Sequence, residues 1–186
     1  MDINMTNNDY YEFETTNPNL KGLVVISHGM AEHIGRYSWL IEKLNADGYI
    51  VIAKDHRGHG KNILKGMTPG LFANNDGWTK VGDDLRNTLN FAIKKYPNLD
   101  CFLLGHSMGS WIALSLLDRK LNINGLIITG SSANDQNILK LIRNLNDKKS
   151  IRQATLATMS SVKSPIVLSI VFSIVFSRLT TLNLLV

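Results

Sequence analysis

The sequence predicts an α/β domain in which a mostly parallel sheet carries helices on both faces. Three observations predict it. Four short apolar runs, at residues 22–27 (GLVVIS), 49–54 (YIVIAK), 101–104 (CFLL) and 125–129 (GLIIT), have the composition of strands buried on both sides. Stretches with apolar residues at helical spacing separate them. Strands alternating with helices of this length form parallel sheets covered on both faces.

The elements follow in order. The run 22–27 is bounded by Gly22 and by the pair His28-Gly29. Tyr37, Leu40, Ile41 and Leu44 then recur on one helical face, and Gly48 suits the residue just past a helix end. The second strand ends at Asp55 and a glycine-rich turn. Trp78, Val81, Leu85, Leu89, Ala92, Ile93 and Tyr96 line a second helix that Pro97 stops. The third strand runs straight into Gly105, and residues 108–117 are apolar on most sides, as in a helix packed against the sheet. After the fourth strand the pattern decays: Ile138, Leu141, Ile142 and Leu145 predict one more amphipathic helix. The run 165–176 (PIVLSIVFSIVF) predicts a buried strand or helix, because Arg178 cuts it short of the ~20 apolar residues a membrane span needs.

Composition bounds the function. The chain has 186 residues, 44% hydrophobic and 19% charged, enough for one domain with a real core. Its single cysteine, Cys101, forms no internal disulfide, and residues 1–8 lack the basic and apolar regions of a signal peptide, so a cytoplasmic protein is expected. The net charge of +5 suggests nucleic acid at first sight, but residues 1–147 hold fifteen Lys/Arg against fifteen Asp/Glu. The whole excess lies in Lys148, Lys149, Arg152, Lys163 and Arg178, with no basic stripe on the main body, so no nucleic-acid partner is expected.

Chemistry concentrates in three motifs. Gly105-His106-Ser107-Met108-Gly109 is a G-x-S-x-G pentapeptide placed where an apolar strand meets an apolar helix, the setting of a nucleophile elbow. The sharp turn strains the serine backbone, and a side chain at either glycine would strike neighbouring backbone. This identifies Ser107 as the candidate nucleophile. His28-Gly29-Met30 follows the first buried strand, where a loop amide faces the nucleophile in such arrangements. The amides of Met30 and Met108 are therefore the candidate oxyanion donors, with both side chains expected to line the pocket. The third motif, Asp55-His56-Arg57-Gly58-His59-Gly60, invites a metal reading, as does the pair Glu32 and His33. A metal needs three or four ligands in closed geometry and no further His/Cys/Asp cluster has suitable spacing, so a hydrogen-bonded turn is expected and no metal.

Taken together, HGMAEHIGRY (28–37), DHRGHG (55–60), FANNDGW (72–78) and GHSMGS (105–110) closely resemble the monoacylglycerol lipase and lysophospholipase branch of the α/β-hydrolases, of serine aminopeptidase S33 type. The resemblance spans roughly residues 10–132. It implies hydrolysis of a glycerolipid or lysophospholipid ester through an acyl-enzyme on Ser107, without cofactor or metal. It implies structural roles for His28, Gly29, Asp55, Arg57 and His59. Asn62 and Ser110 depart from it, standing where the family usually has serine and glycine.

One departure is larger. A serine becomes nucleophilic when a histidine takes its proton and a carboxylate orients that histidine, in the chain order Ser, Asp/Glu, His in this fold. All five histidines (His28, His33, His56, His59 and His106) precede Ser107, and the later acids, Asp118, Asp135 and Asp147, end no recognisable core strand. His106 is expected to point away from the Ser107 hydroxyl. His28 is expected nearer the pocket rim, with no carboxylate behind it. The chain therefore reads as an incomplete α/β-hydrolase fold: residues 1–147 carry the elbow and oxyanion loop, and 148–186 form an atypical tail. Two explanations of the tail stand, truncation with a shifted frame or degenerate gene end, and a divergent segment that covers the sheet edge or touches a membrane surface. Two functions stand with them: a serine ester hydrolase, and a non-catalytic remnant that binds acyl groups or a partner. A peptidase or haloperoxidase on the same fold is the smaller alternative.

Overall fold

The computed structural model describes residues 10–119 and 121–131, with the backbone of two further strands, β1 (Asn4–Met5) and β7 (Ala154–Ala157). The expected helix at 138–145 and the apolar run 165–176 lie outside the described residues.

Among the described residues, seven strands form one sheet in the order β1-β2-β4-β3-β5-β6-β7. The four apolar runs are its centre: β3 (Gly22–Ser27), β4 (Tyr49–Ala53), β5 (Cys101–His106) and β6 (Gly125–Thr129). All four are parallel, and β7 continues them beside β6. The tail thus supplies the strand that covers the β6 edge, through residues 154–157. β2 (Tyr11–Phe13) pairs antiparallel with β4, and β1 with β2. The sequence reading contained neither.

Alternation along the strands divides the core in two. Leu23, Val25, Ile50, Ile52 and Leu103 point to the face covered by α3 (Gly77–Lys95) and α4 (Met108–Leu114). Val24, Ile26, Val51, Ala53 and Leu104 point to the other, where α1 (Ser38–Ala46) inserts Ile41 and Leu44. The Val, Ile and Leu side chains among these contribute about 1.5–3 kcal/mol each when fully buried. α3 buries Val81, Leu85, Leu89 and Ala92, one stripe at spacings of four, four and three. It ends at Tyr96, because Pro97 has no amide to continue it and keeps the preceding residue out of the helical region. Gly48 has φ +97, the left-handed conformation its place after α1 requires.

Some elements differ from expectation. Tyr37 belongs to a 3-10 turn over Ile34–Tyr37 rather than to α1. The helix expected over 108–117 stops at Leu114, and a second 3-10 turn follows at Leu117–Arg119. Trp78 is turned outward onto Phe72, at 6.3 Å between ring centres, instead of into the core stripe. A short helix, α2 (Lys61–Leu64), follows the DHRGHG turn. Among the described residues no helix is long and apolar enough to cross a membrane.

The order of strands positions the site. From β3 the chain passes to β4 on one side, then returns to place β5 on the other. The carboxyl ends of β3 and β5 therefore flank the point where the winding reverses, and in open α/β sheets ligands bind in the crevice at such points. The loop after β3 begins with His28-Gly29, and the turn after β5 is Ser107.

Candidate active site

Ser107 is the sole residue between β5 and α4, at φ +50 and ψ −121. An L-residue is rarely found there, so the surrounding structure must hold it. Two backbone bonds do so: the Ser107 amide donates to the Thr129 carbonyl at the end of β6, at 2.8 Å, and the Ser110 amide donates to the Ser107 carbonyl at 2.9 Å. The Ser110 hydroxyl donates to the same carbonyl at 2.5 Å. The family departure at Ser110 thus adds a cap to the turn.

The elbow glycines are required by close approach. A Cβ on Gly105 would stand 2.7 Å from Ser110 Cα, and one on Gly109 would stand 2.5 Å from the His28 carbonyl oxygen. Gly29 lies beside the serine, since its Cβ would come 3.2 Å from Ser107 Cβ. Loop and elbow are therefore in contact. Met108 N–H is a first-turn amide of α4, without a partner inside the helix. The Met108 side chain packs in the core beneath α4 instead of lining a pocket, and the Met30 side chain is largely exposed. Neither side chain therefore lines a pocket beside Ser107 in the way expected.

Behind the loop lies a buried polar cluster. The Asp55 carboxylate accepts from Tyr11 O–H at 2.7 Å, Ile34 N–H at 2.8 Å and Lys61 N–H at 2.9 Å, joining β2, the 3-10 turn and α2. Asn62, the other family departure, is buried and donates to the carbonyls of Asp55 and His56, at 2.8 and 3.1 Å, closing the turn. Arg57 reaches outward to Asp84 of α3 with two bonds, at 2.6 and 3.0 Å. His59 Nδ1–H donates to the Arg57 carbonyl at 2.8 Å. The segment is the hydrogen-bonded turn expected of it. Among the described residues no group of three or more His, Cys, Asp or Glu could hold a metal ion.

His28 corrects the expectation of a residue at the pocket rim. It is fully buried, and a carboxylate does stand behind it, Asp55 Oδ1 at 3.9 Å from Nε2. Nε2 accepts the His56 amide proton at 2.9 Å, so Nδ1 carries the hydrogen and donates to the Gly29 carbonyl at 2.8 Å. Burial lowers its pKa, against the opposing pull of the Gly29 carbonyl and Asp55. His56 is held well below the usual imidazole value, first by burial and then by neighbouring His28. Both rings are neutral structural groups: both nitrogens of His28 are engaged, and His56 is bonded through Nε2 to the His28 carbonyl and the Ser27 hydroxyl.

His106 is turned toward β6 and the loop. Its Nδ1 lies 2.9 Å from Thr129 Oγ1, and its Nε2 lies 3.7 Å from a Glu32 carboxylate oxygen. Glu32, in sequence half of a metal-like pair with His33, thus stands beside His106, a place its local pattern does not announce. Among the described residues no imidazole hydrogen-bonds the Ser107 hydroxyl. An apolar cavity of about 450 Å³ is lined in part by Tyr11, Phe13, Ile34, Asp55 and Leu64, and Ser107 is not among its lining residues.

A strained serine after a parallel strand, seated against a glycine loop at the point where the strand order reverses, is the geometry of the α/β-hydrolases. The sequence profile of the family described as serine aminopeptidase, S33, matches residues 18–169. The chain belongs to this family. Among relatives, it is 34% identical over 105 residues to a monoacylglycerol lipase of Mycolicibacterium smegmatis, covering 56% of this chain and 35% of that protein. It is 37% identical over 109 residues to the monoglyceride lipase of Rattus norvegicus, covering 58% and 34%. A thermostable carboxyl esterase from Bacillus coagulans, solved in complex with glycerol, superimposes with a TM-score of 0.63 at 31% identity, over 74% of this chain and 44% of that one. The S33 match therefore runs beyond the motifs and takes in β7. The chain spans about a third of the length of these two lipases.

Proposed function

We propose that this S33 chain carries the nucleophile and oxyanion loop of a carboxylic ester hydrolase that acts on glycerol-based lipid esters. The observation that carries the reading is Ser107 at φ +50 and ψ −121 between β5 and α4, in contact with the Gly29 loop. The two lipase relatives and the esterase with bound glycerol support an acylglycerol or a lysophospholipid as substrate.

The chemistry follows from the site. Ser107 Oγ attacks the ester carbonyl carbon and its proton passes to a base. The amides of Met30 and Met108 hold the resulting oxyanion, a role worth about 10² to 10³ in rate per donor. Collapse expels the alcohol with that proton, and water then releases the acid from the acyl-serine. Among the described residues no such base is in place. His28 and His56 are buried and bonded, His106 is engaged by Thr129 and Glu32, and no histidine follows Ser107 in the sequence. This favours a second reading, in which the chain on its own binds acyl groups and turns over little.

Hydrolysis of a short-chain p-nitrophenyl ester by the wild-type chain and by Ser107→Ala separates the two. Turnover abolished by the substitution supports the hydrolase. Binding of a fatty acyl ligand with turnover equal in both proteins supports the second reading.

A further inference from the structure

One peptide unit, Gly29–Met30, joins the buried histidine cluster to the elbow. Its carbonyl accepts the His28 Nδ1 proton at 2.8 Å, and its N–H is the Met30 amide. No peptide bond in the described chain is cis, so this unit is trans, and its C=O and N–H point to opposite sides of one rigid plane. Fixing the carbonyl toward the His28 ring therefore turns the Met30 N–H away from the ring. Gly29 is also the residue packed against Ser107.

We propose that His28 is a positioning residue, whose Nδ1–H sets the plane of the Gly29–Met30 peptide and with it the direction of the Met30 oxyanion donor. This rests on the reading of Ser107 and Met30 given above. Only the Nδ1-protonated tautomer can do it, because the other presents a lone pair to the Gly29 carbonyl. The tautomer is chosen by the His56 amide, which donates to Nε2 at 2.9 Å. His56 is placed in turn by its own Nε2, 3.0 Å from the His28 carbonyl and 3.3 Å from the Ser27 hydroxyl. The DHRGHG turn thereby acts on the oxyanion loop through one imidazole. Preorganised donors of this kind are effective because they need no reorientation as charge develops. His56 and His59 ring centres stand 4.2 and 5.6 Å from that of His28, with Asp55 and Glu32 the nearby carboxylates. The ring is fully buried among them, so solvent does not compete for Nδ1.

Two substitutions divide the ring's two bonds. Asn places its amide nitrogen near the position of Nδ1, keeping the donor to Gly29 and orphaning the His56 amide. Gln reaches the position of Nε2, satisfying His56 and orphaning the Gly29 carbonyl. Each leaves one buried group unpaired, so both destabilise, whereas only Gln releases the peptide plane. The rate of Ser107 phosphonylation by an alkyl fluorophosphonate, followed by intact mass, is compared with thermal stability in wild type, H28N and H28Q. H28Q is expected to label about 100-fold more slowly than wild type, and H28N at least tenfold faster than H28Q. Equal rates in the two variants, or rates that simply follow stability, overturn the proposal. A wild-type chain that does not label at Ser107 points to a serine without a base and not to His28. The decision on His28 then falls to ¹⁵N NMR. A protonated Nε2 in wild type, or a Met30 amide resonance unmoved in H28Q, overturns the positioning role, while a protonated Nδ1 and a displaced Met30 amide uphold it.

Discussion

Gly109 packs so tightly against the end of β3 that a Cβ in its place would stand 2.5 Å from the carbonyl oxygen of His28 and closer still to that of Ser27. Both obstacles are backbone, which has little freedom to yield. Gly109→Ala is expected to push α4 off the sheet and cost about 1–3 kcal/mol, as overpacking does. Gly66→Ala provides the contrast: its φ of +89 is strained, but its Cβ would meet nothing within 4 Å. The cost there is about 1–2 kcal/mol, with no effect at the elbow. Urea midpoints, with fluorophosphonate labelling as the local probe, check both.

Asp55 offers a second test. Three donors converge on its carboxylate. Asp55→Asn replaces one acceptor oxygen with a donor and sets it against a proton, at a cost of about 2–4 kcal/mol. Tyr11→Phe removes a single donor and is expected to cost about 1 kcal/mol. Similar losses for the two substitutions in urea unfolding would contradict a site organised around the carboxylate.

Stability is expected to fall in mild acid. Burial holds the pKa values of His28 and His56 below the ordinary imidazole value of 6.5. Above that value both the folded and the unfolded chain carry neutral rings, so their contribution is complete. As the pH drops below it, the unfolded chain takes up protons first, and each buried ring costs up to ~1.4 kcal/mol per pH unit until its own lowered pKa is reached. Unfolding measured between pH 7.5 and 5 should show this decline, and a constant midpoint would mean that the rings accept protons in the fold.

Cys101 is expected to resist thiol reagents. It is buried in the core beneath α3, and burial pushes its thiol up to about 12, so almost no thiolate forms at pH 8. Dithionitrobenzoate should react with it in urea and not in the native chain.

Esterase turnover of this chain is expected to be low even though the elbow is formed. With a triad member removed, about 10³ to 10⁴ of enhancement over water remains from the oxyanion hole and binding. Turnover of about 1 to 10³ per second, abolished by Ser107→Ala, would reveal a base outside the described residues.

The four central strands and the turn at Ser107 were legible because their signals are local: apolar runs, helical spacing, and glycines on either side of one serine. β2 was not. Its three residues include a charge, Glu12, which is buried only because Lys95 and Tyr96 meet its two oxygens at 2.6 Å from more than eighty residues away. β7, Ala-Thr-Leu-Ala, has no strand signature of its own and pairs because β6 offers an edge. The pull of α3 on the core was visible, but the outward turn of Trp78 depends on Phe72 in a preceding loop. Motif spacing brought His28, Asp55 and His59 under notice. It held nothing to say that His28 would be sealed beneath the loop, since that follows from the His56 amide arriving on a different strand's turn.

The bond from Ser107 N–H to the Thr129 carbonyl has a consequence for the order of assembly. The serine's strained backbone is held at one side by a residue 22 positions later, and at the other by Gly109 seated on Ser27, more than eighty positions earlier. No local segment contains the whole elbow. A nascent chain that has emerged only as far as α4 carries the G-x-S-x-G pentapeptide and its seat on Ser27, but not the Thr129 carbonyl that receives the serine's amide proton. That bond requires β6 to be paired with β5, so the complete elbow is a property of the assembled sheet.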